Sequence, residues 1–112
     1  MESADTHAAL SVARRFIEIG RPERALDALD RAGAGPEDEE AWGLRAWALA
    51  GLERWDDAAR VIGDLLADDP EDVQMLALLS AVEEERGDLA AAERAVLSAL
   101  RLETESAYLL TR

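Results

Sequence analysis

The fold of this chain follows from the stretch Ala58-Ala59-Arg60-Val61-Ile62, because a similar stretch stands on either side of it. The two counterparts are Ala25-Leu26-Asp27-Ala28-Leu29 and Ala92-Glu93-Arg94-Ala95-Val96. Their first alanines are spaced by 33 and 34 residues, and Pro36, Pro70 and Thr104 follow one another at steps of 34. A repeat of about 34 residues that holds two helices predicts a stack of helix hairpins.

Between these markers, apolar residues recur at steps of three and four, as in Ala9, Val12, Ala13 and Phe16. This period predicts amphipathic helices, and the absence of strict apolar–polar alternation argues against strands. Glycine and proline delimit the segments. The first predicted helix is capped by Asp5 or Thr6 and runs to about Ile19, and the second runs from Pro22 to the Gly33-Ala34-Gly35 stretch. The third is opened by Pro36 and closed by Gly51, and the fourth runs from about Arg54 to Asp68. The fifth is opened by Pro70 after the cap Asp69 and ends at Gly87, the sixth is capped by Asp88 and runs to about Leu102, and Thr104 and Glu105 begin a short seventh.

With these residues in phase, the chain resembles the tetratricopeptide repeat family over nearly all of Thr6 to Thr104. In that family a bulky residue followed by a small one four positions later begins each unit. Trp42 with Ala46 and Leu76 with Ser80 match this pattern, and Ala9 with Ala13 match it less fully. We expect a single domain, residues 1–112, with repeats at about 6–39, 40–72 and 73–104 and a partial capping helix at 105–112. The resemblance implies an all-α fold, a right-handed superhelical stack of antiparallel helix hairpins whose first helices line a concave surface.

Three residues depart from the family pattern at positions that usually pack inside the array. Glu83 stands where an aromatic residue or leucine is usual, and we expect it to be half-buried against Arg14 or Arg45. Arg45 replaces an apolar residue, and Leu65 replaces a small one. These departures affect local packing and leave the predicted architecture unchanged.

The composition limits the partners of the protein. The formal net charge is −13, all twelve cationic residues are arginines, and cysteine is absent. Nucleic acids and anionic membrane surfaces are disfavoured because both need basic residues, so a protein with basic character is the expected complement. The lack of a cationic, apolar leader, together with the Ala- and Arg-rich, Lys-free composition, leads us to expect a cytoplasmic bacterial protein.

Residues suited to catalysis or to a cofactor are not grouped in the sequence. His7 is the single histidine and has no cysteine beside it for a metal site. Glu83, Glu84 and Glu85 are consecutive on a helix, so their side chains point in different directions and cannot flank one bond. Gly33-Ala34-Gly35 joins two helices, which excludes a phosphate loop after a strand. We therefore expect no enzymatic activity and no cofactor.

Trp47 is the candidate anchor for a bound partner. It lies five residues after Trp42, which turns it about 140° around the helix from that inward position. The resemblance places Trp47 on the concave surface, with Leu10, Leu44 and Leu78 on the same side of their own units. An exposed tryptophan among leucines suits a binding hot spot. The alternative is that Trp47 packs against a neighbouring first helix, whereas Trp42 and Trp55 match internal positions of the family.

One subclass of the family binds a terminal carboxylate with a clamp of Lys, Asn and Arg. The corresponding residues here are Leu10, Arg14, Leu44, Gln74 and Leu78, and of these only Arg14 is charged. The acidic tails of heat-shock chaperones are therefore not expected to bind. The predicted contact set for a protein or peptide is Leu10, Arg14, Leu44, Trp47 and Leu78.

We interpret the chain as a scaffold that binds a peptide or helix of basic and apolar character. Two alternatives stay open: a structural module that forms a homodimer or larger assembly through its groove or ends, and a regulatory fragment of a larger protein. The apolar cluster Tyr108-Leu109-Leu110 allows three interpretations. The protein continues beyond Arg112, this end meets another copy, or the segment caps the sixth helix.

Overall fold

Six helices follow one another in the computed structural model, which describes the backbone of residues 2–111 and the side chains of residues 6–110. They are α1 (Glu2–Glu18), α2 (Pro22–Ala32), α3 (Glu39–Gly51), α4 (Trp55–Asp68), α5 (Val73–Arg86) and α6 (Leu89–Thr111). No strand occurs within residues 2–111, which confirms the predicted all-α fold. Within the same residues, no helix combines the length and the apolar character that a membrane span requires.

The helices pair as three hairpins, α1 with α2, α3 with α4 and α5 with α6, and the hairpins stack through α2–α3 and α4–α5 contacts. The first helices also contact one another, α1 with α3 and α3 with α5. The described side chains form two apolar clusters, one at each joint between hairpins. Ala25, Leu29 and Ala41 belong to the first, and Ile62 and Met75 belong to the second. The predicted superhelical stack is therefore confirmed.

The turns before α3 and α5 correct one prediction, because Pro36 and Pro70 precede these helices and do not open them. In each turn the backbone N–H of an aspartate, Asp38 or Asp72, donates to the carbonyl three residues before it, at 3.0 and 3.2 Å. Proline suits the second position of such a turn. The same aspartates cap the helices, since each carboxylate accepts a hydrogen bond at 3.1 Å from the N–H three residues on.

The two outer helices are longer than predicted. No glycine or proline lies between Asp88 and Arg112, so α6 continues through Thr104 to Thr111, and the predicted seventh helix is not separate. The predicted start after Asp5 or Thr6 is also wrong, since α1 already begins at Glu2 and contains Thr6. Arg112 and the side chain of Asp5 lie outside the described residues. A helix continues through residues that favour the helical conformation until a residue such as glycine or proline interrupts it.

The end of α3 carries an unusual backbone conformation. The helix ends at Gly51 as predicted, but the left-handed residue that reverses the chain is Glu53, with a φ of 60°. The N–H groups of Glu53 and Arg54 donate to the carbonyls of Ala50 and Leu49, both at 2.9 Å, which is the hydrogen-bond pattern of a Schellman motif. Gly51 has a different role, because a Cβ there would stand 3.1 Å from Pro22. The missing side chain lets the end of α3 approach the start of α2.

Candidate functional site

Trp47 lies in a cleft between the three first helices. It is 41% exposed and projects from α3 between α1 and α5. The cleft has a volume of about 440 Å³, and we call it the Trp47 groove; its lining residues are Arg14, Ile17, Leu44, Trp47, Gln74 and Ala77, with Glu18 at the edge. The stacking of α1, α3 and α5 produces this groove, because each first helix contributes the side chains that its neighbours leave uncovered.

A second, more polar cavity adjoins the groove and shares Arg14, Leu44, Trp47 and Gln74 with it. We call it the acidic recess; its volume is about 260 Å³, and four carboxylates line it, those of Glu39, Glu40, Asp69 and Asp72. Leu65 and Met75 supply further apolar surface. An apolar groove beside an acidic recess suits a ligand that presents an apolar side chain next to a cationic one.

The four carboxylates of the acidic recess differ in how far they are already neutralised. Arg14 donates a hydrogen bond to Glu40, and Asp72 caps α5. Glu39 and Asp69 form no ion pair with an arginine among the described residues, although Asp69 accepts a bond from the N–H of Glu71. Their negative charge beside the ring of Trp47 favours a cation, since the face of an aromatic ring also attracts positive charge.

The structure brings together three of the five predicted contact residues, namely Arg14, Leu44 and Trp47. Leu10 and Leu78 line neither the groove nor the recess. Both are buried: Leu10 packs in the cluster between the first two hairpins, and Leu78 packs in the next cluster. Trp42 and Trp55 pack against the second cluster, as predicted for internal positions.

The sequence prediction missed Ile17, Ala77 and the acidic recess. Ile17 follows Arg14 by three residues and Ala77 follows Gln74 by three, so helical spacing alone places each pair on one face. Glu18 also lines the Trp47 groove, whereas Glu84 and Glu85 line neither cavity. No short stretch of the sequence indicates the acidic recess, because Glu39 and Asp69 are 30 residues apart and come together only through the stacking of the hairpins.

Glu83 and Arg45 have structural partners that differ from the prediction. The Glu83 side chain is 14% exposed and pairs at 2.8 Å with Arg86, not with Arg14 or Arg45. Arg86 also donates to Asp56 of α4 at 3.0 Å, and the pKa of its guanidinium is raised, first by Glu83 and then by Asp56. Arg45 pairs with Asp30 of α2 at 2.6 Å and lies over the ring of Trp42. The Arg86–Asp56 pair connects α5 to α4, and the Arg45–Asp30 pair connects α3 to α2, so each joins neighbouring hairpins.

Among the described residues, no group of three or more His, Asp or Glu side chains is arranged so that it could hold a metal ion. His7 is exposed on α1.

Comparison with known proteins identifies the repeat. A family model described as tetratricopeptide repeat matches residues 16–82, more than half of the chain. No curated protein sequence is significantly similar to this chain.

Several solved structures share the fold. The TPR domain of Arabidopsis FLU has a TM-score of 0.79 and 19% identity, covering 93% of this chain and 99% of that one. The second TPR of Spaghetti (RPAP3), bound to the HSP90 peptide SRMEEVD, has a TM-score of 0.78 and 17% identity, covering 90% and 96%. MamA 41-end from Desulfovibrio magneticus RS-1 has a TM-score of 0.80 and 21% identity, covering 89% of this chain but only 57% of that one. At these identities the likeness concerns the fold alone.

Proposed function

Since more than half of this chain matches the tetratricopeptide repeat model, it belongs to that family, and we propose that it is a non-enzymatic scaffold that binds a protein segment in the Trp47 groove. The fold itself supports protein–protein interaction, because a structural neighbour holds a peptide. The observation that carries the proposal is the exposure of Trp47 inside an apolar groove. Large aromatic anchors in such pockets commonly dominate binding energy.

The proposed ligand is a peptide or helix with an apolar residue followed or preceded by a basic one. The apolar residue contacts Trp47, Ile17 and Ala77, and the cation enters the acidic recess near Glu39 and Asp69. The carboxylate-rich end of a peptide such as the neighbour's SRMEEVD does not fit beside the carboxylates of the acidic recess. Arg14 is the one cation among the described residues that line the groove, and Glu40 already pairs with it.

Selection from a displayed library of random peptides tests the proposal, with the selected sequences then measured by calorimetry. We expect enrichment of Lys or Arg beside Leu, Ile, Phe or Trp. Trp47→Ala should weaken the selected peptides by about thirtyfold, equivalent to about 2 kcal/mol for a buried anchor. The thermal midpoint should change little, because the ring packs in neither apolar cluster.

Leu109→Ala is the matched control, since this exposed apolar side chain of α6 lies outside the groove. Its affinity for the selected peptides should equal that of the wild type. If Trp47→Ala lowers stability strongly and leaves peptide affinity unchanged, Trp47 is a packing residue and the groove is not the binding site. Enrichment of acidic peptides would contradict the proposed partner chemistry.

A further inference from the structure

The outer face of α6 is apolar and uncovered. Leu89, Val96, Leu97 and Leu100 are exposed there, and among the described helices only α5 contacts α6. Val96 is 40% exposed, whereas Ile62, its counterpart 34 residues earlier, is fully buried, as is Leu29 in the first hairpin. The difference has a simple cause: α3 covers α2 and α5 covers α4, but no helix of residues 2–111 covers α6 in the same way.

The outer face of α1 is also uncovered, on the side where a second helix covers α3 and α5. Ala8 and Val12 are exposed on it. Ala41 stands 33 residues after Ala8, and Met75 stands 34 after Ala41; both are buried, Ala41 against α2 and Met75 against α4. Within residues 2–111, therefore, no second helix covers α1 as α2 covers α3, and no first helix covers α6 as α3 covers α2.

A local pair of opposite charges also suits the two faces, which carry the same net charge. Residues 2–32, which hold α1 and α2, contain five Arg and six Asp or Glu, and α6 contains two Arg and three Glu, a net charge of −1 in each case. A cleft of about 600 Å³ between α1 and α2 is lined by Val12, Arg24 and Arg31. Asp27 pairs with Arg31 at 3.1 Å, and Arg24 pairs with no described carboxylate. On α6, Glu93 lies within the apolar stripe, four residues after Leu89 and three before Val96, and Glu103 follows Leu100 by three residues.

We propose that α6 of one copy packs on the α1–α2 face of a second copy, so that the protein assembles head to tail. The contact repeats the α2–α3 and α4–α5 joints that already hold the hairpins together within one chain. Val96 and Leu100 of one copy cover Ala8 and Val12 of the next, and Glu93 or Glu103 lies near Arg24. Because the two contacting faces differ, each added copy presents a new free face, and the assembly grows beyond two.

Light scattering and sedimentation velocity over low-micromolar to near-millimolar concentrations test this proposal. The wild type should show a mass that rises with concentration past two protomers. A tail variant, Val96→Glu with Leu100→Glu, and a head variant, Ala8→Glu with Val12→Glu, should each stay monomeric. Mixed in equal amounts, they should form a two-copy complex and nothing larger, because each variant keeps the one intact face that the other needs.

A control variant adds the same charge elsewhere, Ala67→Glu with Ala81→Glu, at exposed positions of α4 and α5. It should associate like the wild type, which separates the loss of the contact from a general increase in negative charge. Circular dichroism checks that all variants stay folded. A wild type that stays monomeric, or that stops at two copies, overturns the proposal, as does association of the head variant alone, which would indicate an α6–α6 contact.

Discussion

The environments of the three tryptophans show how far single residues decide this structure. Trp42 and Trp55 pack against the second apolar cluster, while Trp47 stands in the groove. Five helical positions separate Trp42 from Trp47, which rotates the second ring about 140° away from the first. The sequence therefore predicts the direction of each ring. It does not predict that Leu10 and Leu78 are covered, because that depends on helices contributed by other hairpins.

Glu53 is the residue at which a substitution should stabilise the protein. A residue with a side chain costs about 1–2 kcal/mol in the left-handed conformation, whereas glycine adopts it freely. Glu53→Gly should raise the free energy of unfolding by up to about 1 kcal/mol, after the greater flexibility of glycine in the unfolded chain is subtracted. Urea denaturation measures this as a higher midpoint at an unchanged slope.

Gly33→Ala is the reciprocal control for this prediction. Gly33 has a φ of 68°, and a Cβ there would meet no atom within 4 Å, so only the backbone conformation opposes the substitution. The midpoint should fall. If Glu53→Gly lowers the midpoint as well, Glu53 stabilises the turn through its side chain and the argument from backbone strain is wrong.

At the scale of helices, the 34-residue period of the sequence predicts two breaks between helices correctly and a third incorrectly. Pro36 and Pro70 lie in turns, with Asp38 and Asp72 as the caps that follow. Thr104 holds the equivalent position in α6, and the helix continues through it. Repeats in a sequence predict where a turn belongs, but the turn forms only if a residue there disfavours the helix.

Thr104→Pro should therefore restore the break in α6. Proline removes the backbone N–H of residue 104 and disfavours the helical conformation of Glu103 before it. We expect the Cα chemical shifts near residue 103 to lose their helical values, while residues of α3 and α4 keep theirs. The cost to global stability should be small, because the side chains of residues 103–110 are all exposed.

Thr104→Ala provides the comparison, because alanine keeps the N–H and favours the helix more than threonine does. Its chemical shifts should show an uninterrupted α6. Cooperative unfolding of the whole protein by Thr104→Pro would show that the end of α6 supports the hairpins, contrary to its exposure in the structure.

At the scale of the whole molecule, charge should control how quickly a partner arrives. The net charge of −13 attracts a basic ligand over distances that depend on salt, since screening lengths fall from about 30 Å at 0.01 M to about 8 Å at 0.15 M ionic strength. The association rate of a basic peptide selected on the protein should therefore decrease steeply with added salt. Stopped-flow measurement with a fluorescently labelled peptide gives this rate without interference from the three tryptophans.

Glu39→Gln with Asp69→Asn removes two charges of the acidic recess while keeping the size of the side chains. This variant should bind the same peptide more weakly and with a shallower salt dependence. An association rate that stays constant between low and physiological salt would contradict electrostatic steering. The proposed cation in the recess would then lack support.

The fold could be predicted almost completely from the sequence, and the candidate site only in part, for one physical reason. Periodicity is a local property, so the alanines at positions 25, 58 and 92 already indicate the helix hairpins. The acidic recess combines carboxylates from the start of α3 with carboxylates from the turn before α5. Such a cavity depends on the angle between hairpins, which the packing of two apolar clusters sets and no short stretch of sequence encodes.

The uninterrupted α6 also extends beyond its hairpin as one continuous helix that ends at Thr111. A body fused after this helix would keep a fixed orientation, because each residue added to a helix advances it by about 1.5 Å and rotates it by about 100°. Insertions of two residues would turn the attached body to nearly the opposite side, and insertions of seven or eleven would bring it back close to its first direction. The number of residues inserted after α6 would thus determine the direction in which the attached body points from the hairpins.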